Sequence, residues 1–277
     1  MEEKGIVVTE EPIDGARGIR SLSARERRER IVQLAGEMGV ANVAAIARQF
    51  NVTPSTVRRD LALLSSSGRL ARTYGGAIAT VGQVESSIAV RSREAYDQKA
   101  AIASWAVAQI GQGDSVLLDA GSTCALVART LPADSALTIT TPSLVALNHI
   151  HARQDLDVFC LGGHLRPASD SFIGPLTEST LERMSFDVAF LGADSVLPTG
   201  EVIEADLEQT RLKEVMARRS RKVYVLVHAS KMGSRTYKYS ARFDQRDWTI
   251  VTDWTADPKV LAEFRKEGIN VEVVPAP

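Results

Sequence analysis

Hydrophobic residues return at helical spacing three times near the start of the chain. Ile31, Leu34, Ala35 and Met38 predict a helix over about Ala24–Met38, stopped by Gly39. Val43, Ile46, Ala47 and Phe50 predict a second over about Asn42–Phe50, with Asn42 as its N-cap. Val57, Leu61 and Leu64 predict a third. Thr53 caps its start, Pro54 takes the first helical position, where a missing N–H does no harm, and Gly68 lies past its end. Arg69–Ile78 then reads as a two-stranded hairpin, with Leu70 apolar, the arginines outward and Gly75-Gly76 at the turn.

From Ala95 the period changes. A helix carrying Ile102, Trp105, Ala106, Val107 and Ile110 leads into a series of apolar runs: Ser115–Leu118, Leu137–Thr140, Asp157–Leu161, Asp187–Leu191, Lys222–Val227, Trp248–Thr252 and Asn270–Val274. Helical segments at Cys124–Leu131, Ser143–Ile150, Leu176–Met184, Leu207–Arg219 and Pro258–Gly268 fill most gaps. Near-continuous apolar strands alternating with helices predict an α/β domain, a parallel sheet covered on both faces. Thr80–Glu94 is weakly patterned and reads as a connection. Residues 1–19, with mixed charge, Pro12 and three glycines, read as a disordered tail.

A helix, a tight turn and a capped helix form a helix-turn-helix arrangement. With Val57 at zero and about 100° per residue, Leu61 and Leu64 fall within about 40° of it. Ser55, Arg58, Arg59 and Ala62 fall between about 100° and 200°, away from the core. An arginine fork matches the paired acceptors of a guanine edge and also suits phosphate. The start of this helix offers further N–H groups to a phosphate. Charge sharpens the picture. The net charge of −1 divides into +6 over Arg20–Ile78, where ten arginines meet four acids, and −7 elsewhere. A nucleic-acid module joined to a different domain gives this split; a solvated basic helix gives it equally. Beside a recognition helix, the hairpin reads as a wing against the DNA backbone.

In parallel sheets, ligands bind beyond the carboxyl ends of the strands. The loops there are Asp119-Ala120-Gly121-Ser122-Thr123, Thr141-Pro142-Ser143, Gly162-Gly163, Gly192-Ala193-Asp194 and His228-Ala229-Ser230-Lys231. The first two run straight into helices, so N–H groups and helix dipoles point at one crevice, with hydroxyls of Ser122, Thr123 and Ser143 beside them. That chemistry suits a phosphate or carboxylate. Any one such turn alone is a helix cap; several converging make a site.

The runs Arg28-Glu29-Arg30-Ile31, Val43-Ala44-Ala45-Ile46-Ala47, Val52-Thr53-Pro54-Ser55-Thr56-Val57-Arg58-Arg59-Asp60-Leu61 and Leu70-Ala71-Arg72-Thr73-Tyr74-Gly75-Gly76-Ala77 resemble the signature of the DeoR family of bacterial regulators. The resemblance continues through Leu118-Asp119-Ala120-Gly121-Ser122-Thr123, Leu161-Gly162-Gly163, Ser171-Phe172-Ile173-Gly174-Pro175, Phe190-Leu191-Gly192-Ala193-Asp194, Lys213 with Met216, and Ser230-Lys231. It implies a small α+β winged helix-turn-helix domain over 20–78, a linker over 79–94 and a sensor domain over 95–277, similar in fold to ribose-5-phosphate isomerase and CoA transferases. It implies a DNA-binding transcriptional regulator, a repressor of a carbohydrate operon, controlled by a phosphorylated sugar or related metabolite. DNA contacts would come from Thr53, Ser55, Thr56, Arg58, Arg59, Arg72 and Tyr74, with Asp60 orienting the two arginines beside it. The effector would meet Asp119, Gly121, Ser122, Thr123, Thr141, Ser143, Gly163, Arg166, Asp194, Lys213 and Lys231. The chain departs from the family at Pro142 and at His228, where asparagine and aspartate are usual; both lie at the implied ligand mouth.

Other classes fare worse. Two cysteines give no disulfide framework, and the longest apolar runs are too short to span a bilayer. The acidic N-terminus lacks a signal-peptide pattern, so the expected compartment is the cytoplasm. His149 and His151 lack companions at metal spacing, so neither a metal nor a cofactor is expected. Cys124 opens a helix, which could lower its pKa, but reads as a packing residue. A sugar-phosphate isomerase is the alternative from another class, with Asp119, Asp194, Glu204, Asp206 and Lys213 as its acid, base and cation. An N-terminal helix-turn-helix would have no use there. RNA binding lacks aromatic stacking positions. One helix-turn-helix reads few base pairs, so a homo-oligomer, dimer or tetramer, is expected on double-stranded DNA.

Overall fold

The computed structural model describes residues 23, 24, 26–28, 30, 31, 41–66, 71–73, 76–78, 85–244 and 248–277. The expected tail over 1–19, the far half of the first predicted helix, and Gly68, Tyr74 and Gly75 lie outside the described residues. The chain divides into two compact units, Met1–Ser66 with Leu70–Ala79 and Ser67–Arg69 with Thr80–Pro277.

In the smaller unit, residues 24, 26–28, 30 and 31 are helical. Strand β1 (Ala41–Asn42), helices α1 (Val43–Gln49) and α2 (Pro54–Ser66), and strands β2 (Ala71–Thr73) and β3 (Gly76–Ile78) follow. Ile31, Ile46, Ala47, Val57, Leu61 and Leu64 bury together, as their spacing predicts. Asn51 turns the chain between the two helices with a positive φ of 50°, a conformation asparagine tolerates. The Val52 N–H then bonds the Ala47 carbonyl at 3.0 Å. Thr53 caps α2, accepting from the Thr56 N–H at 3.2 Å. The hairpin is antiparallel, but Gly76 pairs with Thr73 inside the ladder instead of forming the turn. The third strand, β1, pairs with β3 through Ala41 and Ala77 and was not foreseen.

The larger unit runs α3 (Ile88–Arg91), α4 (Tyr96–Val107), β4 (Ser115–Leu118), α5 (Ser122–Thr130), β5 (Thr138–Thr141), α6 (Leu144–Ile150), β6 (Asp157–Cys160), β7 (His164–Arg166) and β8 (Ser171–Ile173). It continues α7 (Pro175–Leu181), β9 (Phe186–Leu191), β10 (Ser195–Val196), β11 (Val202–Glu204), α8 (Leu207–Arg218), β12 (Ser220–Leu226), β13 (Tyr239–Ala241), β14 (Trp248–Asp253), α9 (Pro258–Lys266) and β15 (Asn270–Val274). The seven strands expected from apolar runs form one sheet in the order β15-β14-β12-β9-β4-β5-β6. Every pairing in it is parallel.

Successive side chains of a strand point to opposite faces. Leu117, Ala189, Leu191, Val223, Val225 and Ile250 pack under α7, α8 and α9 through Leu181, Leu212, Met216 and Phe264. Val116, Leu118, Val188, Phe190, Leu226 and Val251 pack under α4, α5 and α6 through Ile102, Val127, Ala146 and Ile150. The central strands are covered on both faces, which is why they carry no polar alternation, while the edge strands β6 and β15 keep exposed positions. From β4 the chain winds outward through β5 and β6, then returns to β9 on the other side of β4 and winds through β12, β14 and β15. The carboxyl ends of β4 and β9 therefore border the switch point of the sheet, where a crevice opens.

Candidate functional site

The α2 helix presents two faces. Val57, Leu61 and Leu64 are buried, while Thr53, Ser55, Arg58, Arg59 and Ala62 are exposed and Thr56 is half-buried. The Thr53 hydroxyl lies 2.8 Å from that of Ser55 and 2.9 Å from that of Thr56, so the three hydroxyls cluster at the start of the helix. Arg72 lies in β2 opposite Ala77, and Tyr74 is outside the described residues. One expectation is corrected. Asp60 does not orient Arg58 and Arg59; its carboxylate accepts from Arg27 Nε at 2.7 Å, with Arg28 Nε at 4.0 Å. Three residues beyond Val57, it sits about 60° from that residue and so belongs to the buried stripe.

In the larger unit, the cleft at the β4–β9 switch point encloses about 410 Å³, its open mouth included. Asp119 follows β4 directly and is almost fully buried. Its carboxylate accepts from the N–H of Ala120 at 2.7 Å and of Gly192 at 3.1 Å, which fixes it across the two strand ends. Gly192 has no room for a side chain, because a Cβ there would lie 2.9 Å from the Ala120 carbonyl. Gly121, at φ 136°, turns the chain into α5 with no side-chain cap. The first N–H groups of α5 consequently point outward from a positive helix end, and Ser122 and Thr123 line the cleft there.

Cations and carboxyls crowd the cleft. Lys213, from α8, is buried; its Nζ donates to Asp119 and lies 3.2 Å from Glu204 Oε1 without alignment for a hydrogen bond. Lys231 Nζ donates to the Ala193 carbonyl at 2.6 Å, and desolvation holds its pKa below the ordinary lysine range. Arg91, from α3, lines the cleft and pairs with Glu85 at 3.0 Å and Asp194 at 3.5 Å. Lys99 Nζ donates to the Arg91 carbonyl at 2.5 Å; burial, then the nearby Lys231 charge, bring its pKa down to about 8. Burial pushes the Glu204 carboxyl up to about 8, against the pull of Lys213. Lys213 is driven the other way: its two carboxyl neighbours outweigh desolvation and raise it.

Of the residues expected to meet an effector, Gly121, Ser122, Thr123, Asp194, Lys213 and Lys231 line this cleft, and Asp119 supports it from beneath. Arg166 sits at its edge, donating to Ser169, a lining residue, at 3.2 Å and pairing with Glu85 and Asp206. Thr141, Ser143 and Gly163 are not among the lining residues. Ser143 is the N-cap of α6, accepting from the Ala146 N–H at 3.2 Å, and Thr141 is fully buried, accepting from the Ser143 N–H. Gly163 is held by close packing: a Cβ there would lie 2.7 Å from the Ile173 carbonyl. Neither Pro142 nor His228 lines the cleft. His228 caps the 3-10 turn Ala229–Lys231, which Asp253 anchors through the Ala229 N–H at 2.9 Å, so the pair positions Lys231 from behind. Cys124 is fully buried, and burial raises its pKa, so it packs and is not activated. Sequence reasoning missed Arg91, Ser169 and Gln209 in the lining; each lies in a connection or on a helix without a motif around it. Gln209 is buried with its Oε1 unpartnered.

Among the described residues no group of three or more His, Cys, Asp or Glu is placed to hold a metal ion. No helix among them is long and apolar enough to cross a membrane.

Residues 27–81 match the family model of the DeoR-like helix-turn-helix domain, and residues 94–254 that of the DeoR C terminal sensor domain. The HTH-type transcriptional regulator GlpR of Haloferax volcanii is 31% identical over 251 residues, covering 89% of this chain and 96% of that protein. The putative aga operon transcriptional repressor of Escherichia coli O157:H7 is 30% identical, covering 90% of this chain and 93% of that protein. The glycerol-3-phosphate regulon repressor of Escherichia coli K12 is 29% identical, covering 90% and 98%. Among solved structures, a D-ribose-5-phosphate isomerase in complex with phospho-erythronic acid is 21% identical, covering 48% of this chain and 52% of that one at a TM-score of 0.34.

Proposed function

The chain belongs to the DeoR family of DNA-binding transcriptional regulators, and on that premise we propose that it is a repressor of a carbohydrate operon released or engaged by a small phosphorylated sugar or related metabolite. The observation that carries the effector reading is the uncapped start of α5, with Ser122 and Thr123 on a cleft that Arg91, Lys213 and Lys231 also line. Helix N–H groups, hydroxyls and fixed cations together take a phosphate better than any neutral sugar group. The relatives named for an aga operon and a glycerol-3-phosphate regulon supply the substrate class. The effector-binding residues of this reading are Gly121, Ser122, Thr123, Arg91, Asp194, Lys213 and Lys231, with Asp119 beneath them.

The DNA reading rests on Ser55, Arg58 and Arg59, which face solvent opposite the buried stripe of α2. Thr53 and Thr56 would meet phosphate at the helix start, and Arg72 and Tyr74 the backbone from the wing. One such helix contacts few base pairs, so the working form is a homo-oligomer on repeated half-sites. The chain acts as a sensor and not as an isomerase in this reading, since Asp119, three residues ahead of α5, is already bonded to Lys213 and two N–H groups. It works in the cytoplasm, where its DNA and metabolite partners are. The test is titration of genomic operator fragments with and without a panel of sugar phosphates, together with a turnover assay on the same compounds. Release or tightening of DNA binding without turnover supports the reading. Turnover, or indifference of DNA binding to every phosphate tried, overturns it.

A further inference from the structure

Arg91 and Arg166 are joined by one carboxylate, and that carboxylate comes from outside the sheet. Glu85 lies in the connection between the wing and the sensor domain. Its Oε1 is 3.0 Å from an Arg91 guanidinium nitrogen, and its Oε2 accepts from Arg166. All three side chains are largely buried, with Glu85 at 8% exposure, Arg91 at 15% and Arg166 at 14%. The segment is further stitched down by the Ile88 N–H, which donates to the Ala168 carbonyl at 3.2 Å, and by Arg91, which donates to the same carbonyl at 3.2 Å.

The surrounding charges are closely balanced. Arg91, Lys99, Arg166, Lys213 and Lys231 face the carboxylates of Glu85, Asp119, Asp194 and Asp206, with the Glu204 carboxyl, mostly neutral, among them. A dianion entering such a set in a partly enclosed site meets repulsion unless a carboxylate withdraws. Three of the carboxylates are fixed by main-chain donors of their own scaffold. Asp119 accepts from Ala120 and Gly192, Asp194 from Ala205 at 3.1 Å, and Asp206 from Gln209 at 3.0 Å as the N-cap of α8. Glu204 sits within β11 against Lys213. Among the described residues, the Glu85 carboxylate is held by the two arginines alone. Arg91 also has a donor to spare, since its buried Nε has no partner.

We propose that Arg91 receives the phosphate of the effector and that Glu85 is its built-in competitor, so that ligand entry displaces Glu85 and loosens the segment that tethers the DNA-binding unit. This rests on the reading of the cleft as a phosphate site. The Glu85 carboxylate occupies Arg91 when the cleft is empty of anion. A phosphate on the α5 N-terminus and Lys231 takes over Arg91, and the freed Glu85 no longer ties residues 85–88 to Arg166. The ligand thus shifts an equilibrium only because the two states offer Arg91 different partners.

The experiment uses the full chain with inorganic phosphate and glycerol 3-phosphate as probes, and glycerol as the arm without a phosphate. Binding is followed by calorimetry and by hydrogen exchange at the Ile88 amide. In the wild type, both phosphates should bind and speed exchange at Ile88, and glycerol should do neither. Glu85→Gln, shown by thermal unfolding to be folded, should bind both at least about fivefold more tightly and exchange rapidly at Ile88 before any ligand is added. Arg91→Met should lose the affinity. If Glu85→Gln binds phosphate as the wild type does, or Ile88 exchange ignores the ligand while Lys231→Met abolishes binding, the competitor role is overturned and the cleft reading stands. If neither phosphate binds the wild type, both fall together.

Discussion

Arg27 Nε donates to Asp60 Oδ2 at 2.7 Å, joining the opening helix to α2 through side chains that are 11% and 7% exposed. The pair puts a carboxylate within the helix proposed to meet DNA, but on its inner face, where it holds the helix in place. Removing Asp60 leaves Arg27 buried without its counter-charge. Asp60→Ala should therefore cost about 3 kcal/mol, toward the lower end for breaking a buried pair. Hydrogen exchange of the α2 amides in the full chain measures it. Unchanged protection would show that the pair contributes nothing to the docking of α2.

Arg58 and Arg59 make the opposite case. Both are exposed, so their loss should leave the fold as it is. Arg58→Ala or Arg59→Ala should weaken operator binding by about 1–3 kcal/mol for whichever makes a bidentate base contact. An arginine that meets only phosphate should instead weaken all sequences alike and reduce the salt slope by about one unit. Titrations of specific and scrambled DNA at two salt concentrations separate these outcomes. A folded double variant that binds as tightly as the wild type would remove α2 as the reading element.

Much of this was legible in the sequence, for a physical reason. A strand buried on both faces is apolar, so the central strands announced themselves; the edge strands β6 and β15, partly exposed, still carried enough apolar residues to be read, and β4 and β15 were bounded to the residue. The short antiparallel pieces β7, β8, β10, β11 and β13 were not seen. Each spans two or three residues, too few to display a period. Loops at strand ends pointed to Gly121, Ser122, Thr123, Asp194 and Lys231 because position in a parallel sheet decides where a ligand can go. The same rule gathered in Thr141 and Ser143, which cap and brace α6 instead. Arg91 was missed because nothing in Thr80–Glu94 is periodic; its place depends on contacts with residues 85, 168 and 194.

The two lysines of the cleft should separate under substitution. Lys213 is bonded to Asp119 and faces Glu204, with every partner buried. Lys213→Met leaves two buried carboxyls facing one another and should cost about 3–5 kcal/mol of sensor-domain stability. Lys231 donates only to a main-chain carbonyl, and burial already disfavours its charge. Lys231→Met should change stability by less than about 1 kcal/mol and weaken sugar-phosphate binding tenfold or more. Urea unfolding followed by tryptophan fluorescence, beside calorimetric titration, gives both numbers for each variant. Equal losses in both assays for both lysines would contradict this division.

Ligand affinity should also depend on pH in a defined window. The Glu204 carboxyl, pushed up to about 8 by burial, is mostly neutral at pH 7 and gains its negative charge as pH rises through that value. Lys99, brought down to about 8 by burial and by Lys231, loses its positive charge over the same range. Both changes make the cleft less welcoming to an anion. The second ionisation of a phosphate ester lies near 6, so the ligand itself is a dianion throughout. Affinity for a sugar phosphate should therefore fall between pH 7 and about 9. Stability carries a linked signature from Glu204. Its folded pKa exceeds the ordinary value of 4.5, so the folded state keeps a proton that the unfolded chain has released, and stability declines as pH rises from about 4.5 to about 8. Glu204→Gln should remove that decline and flatten the binding profile, leaving the part due to Lys99, and Lys99→Met should remove the remainder. A wild-type affinity constant across pH 7–9, or a profile that both substitutions leave unchanged, would show that neither group senses the bound anion.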